Sequence, residues 1–203
     1  MIKILTDSSS DMPLHMAADL GIAVLPVRIR LGTAVHHDGE DIGRSDFYRH
    51  LAKGGSWPTV EPPSHEEFHD AYSRLLKSTD QILSIHVSSK LSRTVQVAQE
   101  AAKGFLGRSK ITVVDSRMIS WGLQLLATSA GEAAKRGASI EQIVRLIRGI
   151  IPHIYMVFFD GAVHQGCTEY GGIEREAVQV DELLIAVGTS IEFRVKSSFD
   201  LGG

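Results

Sequence analysis

The chain has 203 residues, 43% of them hydrophobic, which suffices for one large domain or for one domain with a smaller second one. A formal net charge of -3 and a pI near 6.3 exclude a general electrostatic attraction for nucleic acid or anionic membranes. The single cysteine, Cys167, cannot form an internal disulfide, and the N-terminus lacks the apolar run of a signal peptide. We therefore expect a cytoplasmic protein without a membrane span.

Short β-branched runs alternate with longer segments of helical period along the first three quarters of the chain. This alternation is typical of β-α units stacked around a parallel sheet. We predict a three-layer α/β domain over residues 1–155, and we treat residues 156–203, where the pattern becomes weak, as a separate second part. A strand is expected in the second part from Val180 to Val187. The strands predicted in the first part are Ile2 to Leu5, Ile22 to Leu31, Gln81 to Ile85 and Ile111 to Val114.

Helix starts and buried faces are marked by familiar patterns. Pro13 is expected in the first turn of a helix, and Ser64 with Glu67 has the spacing of a capping box. The segment from Gly54 to Pro63 is rich in glycine and proline, which predicts a surface loop without regular structure. Two apolar stripes predict helix faces that pack on the sheet, namely Leu91, Val95, Ala98 and Ala102, and Ile140, Ile143, Val144, Ile147 and Ile151.

Hydroxyl-bearing residues follow three of the predicted strands. Ser8 and its neighbours follow the first strand, the segment from His86 to Thr94 follows the third, and Asp115 with Ser116 follows the fourth. In a parallel sheet these segments meet at one edge, where helix N-termini also point and favour a carboxylate or phosphate. Serine and aspartate are equally typical of ordinary helix caps, and this alternative stays open.

Other candidate sites have weaker patterns. His36, His37 and Asp38 lack a third ligand at metal-site spacing, so we expect a solvated loop there. His164 and Cys167 are an incidental pair. The chain shows no dinucleotide fingerprint, phosphate-binding loop or nucleophile elbow, and we expect neither a metal nor a cofactor.

Six motifs in register resemble those of DegV proteins over residues 1 to 155. They are LTDSSSDMP, VLPVRI, DGEDI, the loop ending in PPS, SIHVSSKLSRT and ITVVDS. The resemblance implies a bacterial fatty-acid-binding protein with two α/β domains and with roles in lipid transport and fatty acid metabolism. Since few residues follow the first domain here, the resemblance implies a small second α/β domain, shortened or reduced to a remnant, over residues 156–203. It also implies that a fatty acid kinase phosphorylates the bound carboxylate, so that this chain is a carrier subunit and not a self-sufficient enzyme. A homodimer is a further expectation.

The resemblance implies ligand-binding residues at matching positions. The serine of the family's SSxLSGT motif corresponds to Ser92, whereas the glycine of that motif is Arg93 here. The threonine of the family's TSQPS loop corresponds to Val60, and the serine after it corresponds to Glu61, so Thr59 is the nearest substitute. Together with Ser8 and His86 from the segments that follow the strands, the expected ligand-binding residues are Thr59, Val60, Glu61, Ser92, Arg93 and Thr94. For His86 the alternative is a hydrogen bond to a loop carbonyl.

The two substituted charges suggest a specific hypothesis. Glu61 would repel a bound carboxylate, whereas Arg93 would attract one or pair with Glu61. We predict a Glu61–Arg93 ion pair that changes or blocks the head-group site. The ligand is then a long-chain fatty acid or a smaller carboxylic acid. Two alternatives remain: a subunit of an enzyme related to dihydroxyacetone kinases, with His86 as the substrate-binding histidine, and a degenerate interaction module with a filled pocket.

Overall fold

The computed structural model describes residues 2–54 and 57–156. Seven strands lie in this part of the chain: β1 (Lys3–Asp7), β2 (Ile22–Leu25), β3 (Arg28–Leu31), β4 (Ala34–His37), β5 (Thr59–Glu61), β6 (Gln81–His86) and β7 (Lys110–Asp115). The α-helices there are α1 (Leu14–Leu20), α2 (Arg44–Ala52), α3 (His65–Leu75), α4 (Thr94–Ala102), α5 (Ser120–Lys135) and α6 (Ile140–Ile150). Short 3-10 helices cover Ser8–Ser10, Lys103–Phe105 and Ile151–His153.

The main sheet is parallel, with the strand order β2-β1-β6-β7. Each strand contributes side chains to both faces of the sheet, because successive side chains of a strand point to opposite sides. Ile4 and Leu83 pack in one core with α5 and α6, and Leu5 and Ile82 pack in another with α3 and α4. Helices therefore cover both faces, which confirms the predicted three-layer α/β fold of the first domain.

The predicted strand from Ile22 to Leu31 is wrong as a single element. The chain turns at Pro26 and Val27, so that β2 belongs to the main sheet while β3 lies at the centre of a second, antiparallel sheet with the order β4-β3-β5. Proline has no backbone N–H for a strand ladder, which favours a break there. The second sheet consequently begins at the carboxyl end of β2.

The segment from Gly54 to Pro63 was predicted to lack regular structure, and this is also wrong in part. Thr59–Glu61 forms β5, with Val60 opposite Ile29 of β3. The histidines at 36 and 37 likewise belong to β4 rather than to a loop. Backbone pairing with β3 overrides the local sequence preference in both places.

Two of the sequence patterns that predicted helices are confirmed by the structure. Ser64 and Glu67 form the predicted capping box at α3. The stripe on α6 is confirmed, with Ile140, Ile143 and Ile147 fully buried. Pro13, however, is the N-cap residue of α1 and not part of its first turn.

Leu91 is 54% exposed and precedes α4, so it does not share the buried face of Val95 and Ala98. In the ranges that the structure describes, no helix is long and apolar enough to cross a membrane. The predicted strand from Val180 to Val187, and the pair His164 and Cys167, lie outside the described residues.

Candidate functional site

The three hydroxyl-rich segments meet at the carboxyl ends of β1, β6 and β7, as predicted. We call this region the strand-end edge (residues 7–11, 86–94 and 115–120). Asp7 Oδ2 accepts a hydrogen bond from the backbone N–H of Val87 at 3.0 Å, which joins the first segment to the second. Ser89 Oγ donates to Asp115 Oδ2 at 2.6 Å, which joins the second segment to the third. The edge is thus one hydrogen-bonded surface.

Several hydroxyls of this edge serve the protein's own backbone. Ser8 Oγ accepts from the N–H of Val27 at 3.0 Å, which ties the first loop to the start of the second sheet. Ser88 Oγ accepts from the N–H of Lys90 at 3.3 Å, and Ser116 Oγ donates to the carbonyl of Met118 at 3.1 Å. These three serine hydroxyls bond within or between loops and not at the start of a helix, whereas Asp7 does cap the 3-10 helix at Ser8–Ser10 by accepting from the N–H of Ser9. A serine that only accepts, such as Ser8, retains its own hydroxyl hydrogen.

Ser92 lies just before α4 and is half-buried. Its Oγ accepts from the N–H of Thr94 at 3.3 Å and lies 2.8 Å from Thr94 Oγ1. Thr94 is fully buried, so its hydroxyl has Ser92 Oγ as a hydrogen-bond partner instead of water. When Thr94 donates to Ser92, the Ser92 hydroxyl hydrogen remains available for a carboxylate, at a position where the amide groups of a helix start favour negative charge.

The predicted Glu61–Arg93 ion pair is wrong. Glu61 lies on β5, where Arg30 Nε approaches its Oε1 to 2.6 Å and Arg28 Nη2 approaches its Oε2 to 3.4 Å. The hydrogen bond from Arg30 holds the pKa of the Glu61 carboxyl below its usual value. Arg93 is exposed, and its Nε donates to Gln96 at 3.3 Å. Cross-strand geometry decides this outcome, because Arg28 and Glu61 are directly paired residues of β3 and β5.

Thr59 and Val60 fall on opposite faces of β5. Thr59 is paired with Arg30 and shares the face of Glu61, whereas Val60 is paired with Ile29 on the other face and is 62% exposed. At most one of the two can therefore face a given ligand, so Thr59 does not simply replace a side chain at position 60.

His86 does not face a ligand, contrary to our expectation. The residue is fully buried, its Nδ1 lies 2.9 Å from Asp7 Oδ2, and its Nε2 lies 2.6 Å from Ser84 Oγ. The edge of its ring is packed against Phe68 at a centroid distance of 5.0 Å. Both ring nitrogens are used inside the protein, which leaves neither for an anion or for a covalent bond to a substrate.

A charged network on the second sheet was missed by sequence reasoning. Glu67 of α3 lies 2.8 Å from His37 Nε2 and 4.0 Å from Arg28 Nε, while Asp41 lies 3.2 Å from His37 Nδ1. The hydrogen bond to Glu67 raises the pKa of His37 above its ordinary value. The capping-box spacing identified Glu67, but the sequence contains no signal for its contact with a strand.

Three residues other than glycine have left-handed backbone at this edge. They are Asp11, Arg117 and Ser120, with φ of 51°, 57° and 52°. Asp11 accepts from Ser120 Oγ at 2.5 Å and from Arg44 Nη2 at 3.2 Å. Such conformations are costly for residues with a Cβ and are concentrated at functional sites, which agrees with the location of the candidate site.

Surface depressions occur elsewhere on the domain, one between α5 and α6 and another beside β7. Among the described residues, no group of three or more histidine, cysteine, aspartate or glutamate side chains is placed to hold a metal ion. The candidate site is therefore defined by the side chains of the strand-end edge and not by these depressions.

The curated proteins that this chain matches include DegV domain-containing proteins of two bacteria. A DegV domain-containing protein of Deinococcus radiodurans is 35% identical over 158 residues, which are 77% of this chain and 55% of that protein. A DegV domain-containing protein of Caldanaerobacter subterraneus is 38% identical over 159 residues, which are 77% of this chain and 56% of that protein. The chain spans about half the length of the curated relatives that it matches.

Solved structures show the same fold. A fatty-acid-binding DegV family protein from Thermus thermophilus superposes with a TM-score of 0.70 at 34% identity, over 74% of this chain and 53% of that one. A Thermotoga maritima protein whose structure reveals fatty acid binding function superposes with a TM-score of 0.67 at 29% identity, over 74% and 55%. The family model described as "Uncharacterised protein, DegV family" matches residues 1–163. Since that match covers most of the sequence, the chain belongs to the DegV family.

Proposed function

We propose that this chain binds a fatty acid or another small carboxylic acid through the strand-end edge. The observation that carries the proposal is the arrangement at Ser92, whose Oγ accepts from the N–H of Thr94 and lies 2.8 Å from Thr94 Oγ1. When Thr94 Oγ1 donates to Ser92, the Ser92 hydroxyl can donate to a ligand at the start of α4. A carboxylate is an acceptor-only ligand, so it matches a free hydroxyl donor. The fatty-acid-binding relatives from Thermus thermophilus and Thermotoga maritima support this ligand class.

The charges of the site are compatible with an acid. Because Glu61 pairs with Arg30 and Arg28, its carboxylate is compensated rather than left to repel a ligand. Among the residues that the structure describes, the Arg93 side chain bonds only through Nε, to Gln96, which leaves the terminal nitrogens of its guanidinium for an anion. The unexpected pairing of Glu61 therefore removes one argument against binding.

The proposal extends to a partner and to a cellular role. A carrier that holds the acid by its carboxylate can present that group to a fatty acid kinase, and we propose such a kinase as the partner, in the cytoplasm of a bacterium. Lipid transport and fatty acid metabolism follow from this role. The chain itself then contributes binding and orientation, while the kinase supplies the phosphoryl transfer.

The enzyme alternative loses its candidate residue. A subunit related to dihydroxyacetone kinases needs a histidine that can reach the substrate, and His86 is fully buried with both ring nitrogens bonded. The degenerate interaction module makes a distinct prediction, because such a protein would bind no acid. Binding measurements therefore separate it from the carrier.

The test begins with mass spectrometry of an organic extract of the purified full chain, followed by binding of radiolabelled stearate. Ser92→Ala should weaken stearate binding on the order of tenfold, the equivalent of one hydrogen bond to a charged group. Ser78→Ala is the matched control, because Ser78 is an exposed serine that bonds to Leu75 before β6, away from the strand-end edge. A wild-type chain without co-purified acid and without stearate binding would overturn the proposal.

A further inference from the structure

Four buried side chains form a continuous hydrogen-bonded chain beneath the strand-end edge. Tyr72 of α3 lies 3.0 Å from Ser84 Oγ, Ser84 Oγ lies 2.6 Å from His86 Nε2, and His86 Nδ1 lies 2.9 Å from Asp7 Oδ2. Ser84, His86 and Asp7 are fully buried, as is Tyr72. The order of groups resembles a catalytic triad, but a buried serine cannot meet a substrate, so the chain has another role.

One consistent set of hydrogen-bond directions starts from the carboxylate of Asp7. An ionised Asp7 can only accept, and its Oδ2 accepts from both His86 Nδ1 and the backbone N–H of Val87. In the tautomer with the hydrogen on Nδ1, His86 accepts at Nε2 from Ser84 Oγ. Ser84 Oγ can then accept from the Tyr72 hydroxyl, which also lies 3.4 Å from the carbonyl of Ala98. Every polar group in the chain then has a partner.

Asp7 occupies a special place among the four residues, because its carboxylate joins two loops. Its Oδ1 accepts from the N–H of Ser9 at 3.1 Å, directly after β1, and its Oδ2 accepts from the N–H of Val87 at 3.0 Å, directly after β6. In the described ranges, no lysine or arginine lies within ion-pair distance of this carboxylate. Three N–H groups compensate its burial instead, so their positions are strongly constrained.

We infer that Asp7, oriented by His86, is a positioning residue that fixes where the loops carrying Ser8 and Ser92 leave the sheet. Ser8 is the next residue after Asp7, and the turn that leads to Ser92 begins at Val87 and Ser88, with Ser92 N donating to the carbonyl of Ser88 at 3.1 Å. A change at Asp7 should therefore move hydroxyls that Asp7 itself does not touch. This inference rests on the proposed function, since it concerns the same edge.

The decisive comparison is Asp7→Asn against Ser84→Ala. In Asp7→Asn, the amide NH₂ group points at one of the N–H groups from which Asp7 accepts a hydrogen bond, so that bond is lost. Ser84→Ala removes a hydroxyl of the same buried chain, on the side of His86 that is remote from the loops. Both variants should lose stability in urea. Only Asp7→Asn should weaken stearate binding, on the order of tenfold. Equal stearate affinities for the two folded variants would overturn the inference.

A pair of substitutions at His86 supplies a second test that does not depend on Asp7→Asn. His86→Asn places an amide nitrogen near the position of Nδ1 and keeps the donor to Asp7, while His86→Gln places one near Nε2 and loses it. His86→Asn should retain stearate binding better than His86→Gln, and the amide NMR shifts of Ser9 and Val87 should stay closer to wild type. Equal behaviour of the two variants would count against a positioning role.

The two proposals fail in different ways. A wild-type chain that binds no stearate refutes the proposed function. Wild-type binding that Asp7→Asn and His86→Gln leave unchanged refutes the positioning role alone.

Discussion

Glu61 Oε1 lies 2.6 Å from Arg30 Nε across the second sheet. The same carboxylate also reaches Arg28, which is its directly paired residue on β3. The carboxylate at position 61 is therefore neutralised within the sheet, and Arg93 keeps its cation for the strand-end edge.

Replacing Arg93 should weaken acid binding rather than strengthen it. Because Arg93 has terminal guanidinium nitrogens that do not bond to Glu61, Arg93→Ala should lower stearate affinity severalfold, as expected for one partly solvated charge contact of about 1 kcal/mol. The effect should shrink as salt is added. Arg145→Ala on α6 is the control. Tighter binding by Arg93→Ala would show instead that the long side chain obstructs the site.

The His37 network predicts a pH-dependent stability. The hydrogen bonds to Glu67 and Asp41 raise the pKa of His37 above 6.5, so its contribution is complete below pH 6.5 and is lost as the pH rises through the raised value. Although burial acts to raise the pKa of Glu67, hydrogen bonds from the Ser64 backbone and from His37 hold it below 4.5. Its contribution is therefore complete above pH 4.5 and is lost as the pH falls through the lowered value.

The link between His37 and Glu67 should accordingly be strongest between pH 4.5 and 6.5. Thermal unfolding over pH should show His37→Gln losing stability in this window and converging with wild type at alkaline pH. The difference should be small, because the His37 side chain is 37% exposed and solvent screens the charges. His15→Gln, at an exposed residue of α1, is the control. A constant difference between His37→Gln and wild type at all pH values would contradict the prediction.

Removing the hydroxyl of Tyr72 should destabilise the domain. This group lies 3.0 Å from Ser84 Oγ and 3.4 Å from the carbonyl of Ala98 in the buried core, and burial raises the pKa of Tyr72 so that the phenol stays protonated. Tyr72→Phe should lower the free energy of unfolding by about 1–2 kcal/mol in urea titrations. Tyr48→Phe, at a residue that is 61% exposed, should have no comparable effect. Similar losses for both variants would argue against a specific buried bond.

Two glycines in helices should respond to alanine in opposite ways. At Gly149 of α6 a Cβ would meet no atom within 4 Å, so Gly149→Ala should raise the free energy of unfolding by about 1 kcal/mol through helix propensity. At Gly131 of α5 a Cβ would lie 2.9 Å from Ile22 Cδ1 and 3.3 Å from Leu20 Cβ. Gly131→Ala should therefore lower the free energy of unfolding, measured in urea, because the added methyl group overpacks the core. A gain at Gly131 would mean that Ile22 can move aside.

The order of the main elements could be predicted from the sequence because it depends on local pattern. Apolar period identified α6, and the spacing of Ser64 and Glu67 identified the start of α3. The meeting of the three hydroxyl-rich segments followed from one rule, that the carboxyl ends of parallel strands share an edge. These inferences need no knowledge of which side chains touch.

The tertiary structure decided the partners of the polar groups. Whether Glu61 meets Arg93 or Arg30, and whether His86 faces solvent or Asp7, depends on strand register and on the break at Pro26, which places β3 beside β5. Asp7 and His86 are 79 positions apart in the chain, so no local pattern could join them. The sequence by itself determined the three-layer fold and the strand-end edge, because both follow from the period of apolar residues and from the direction of parallel strands. The site's charges and buried contacts required the fold, because they come from residues that only long-range pairing brings together.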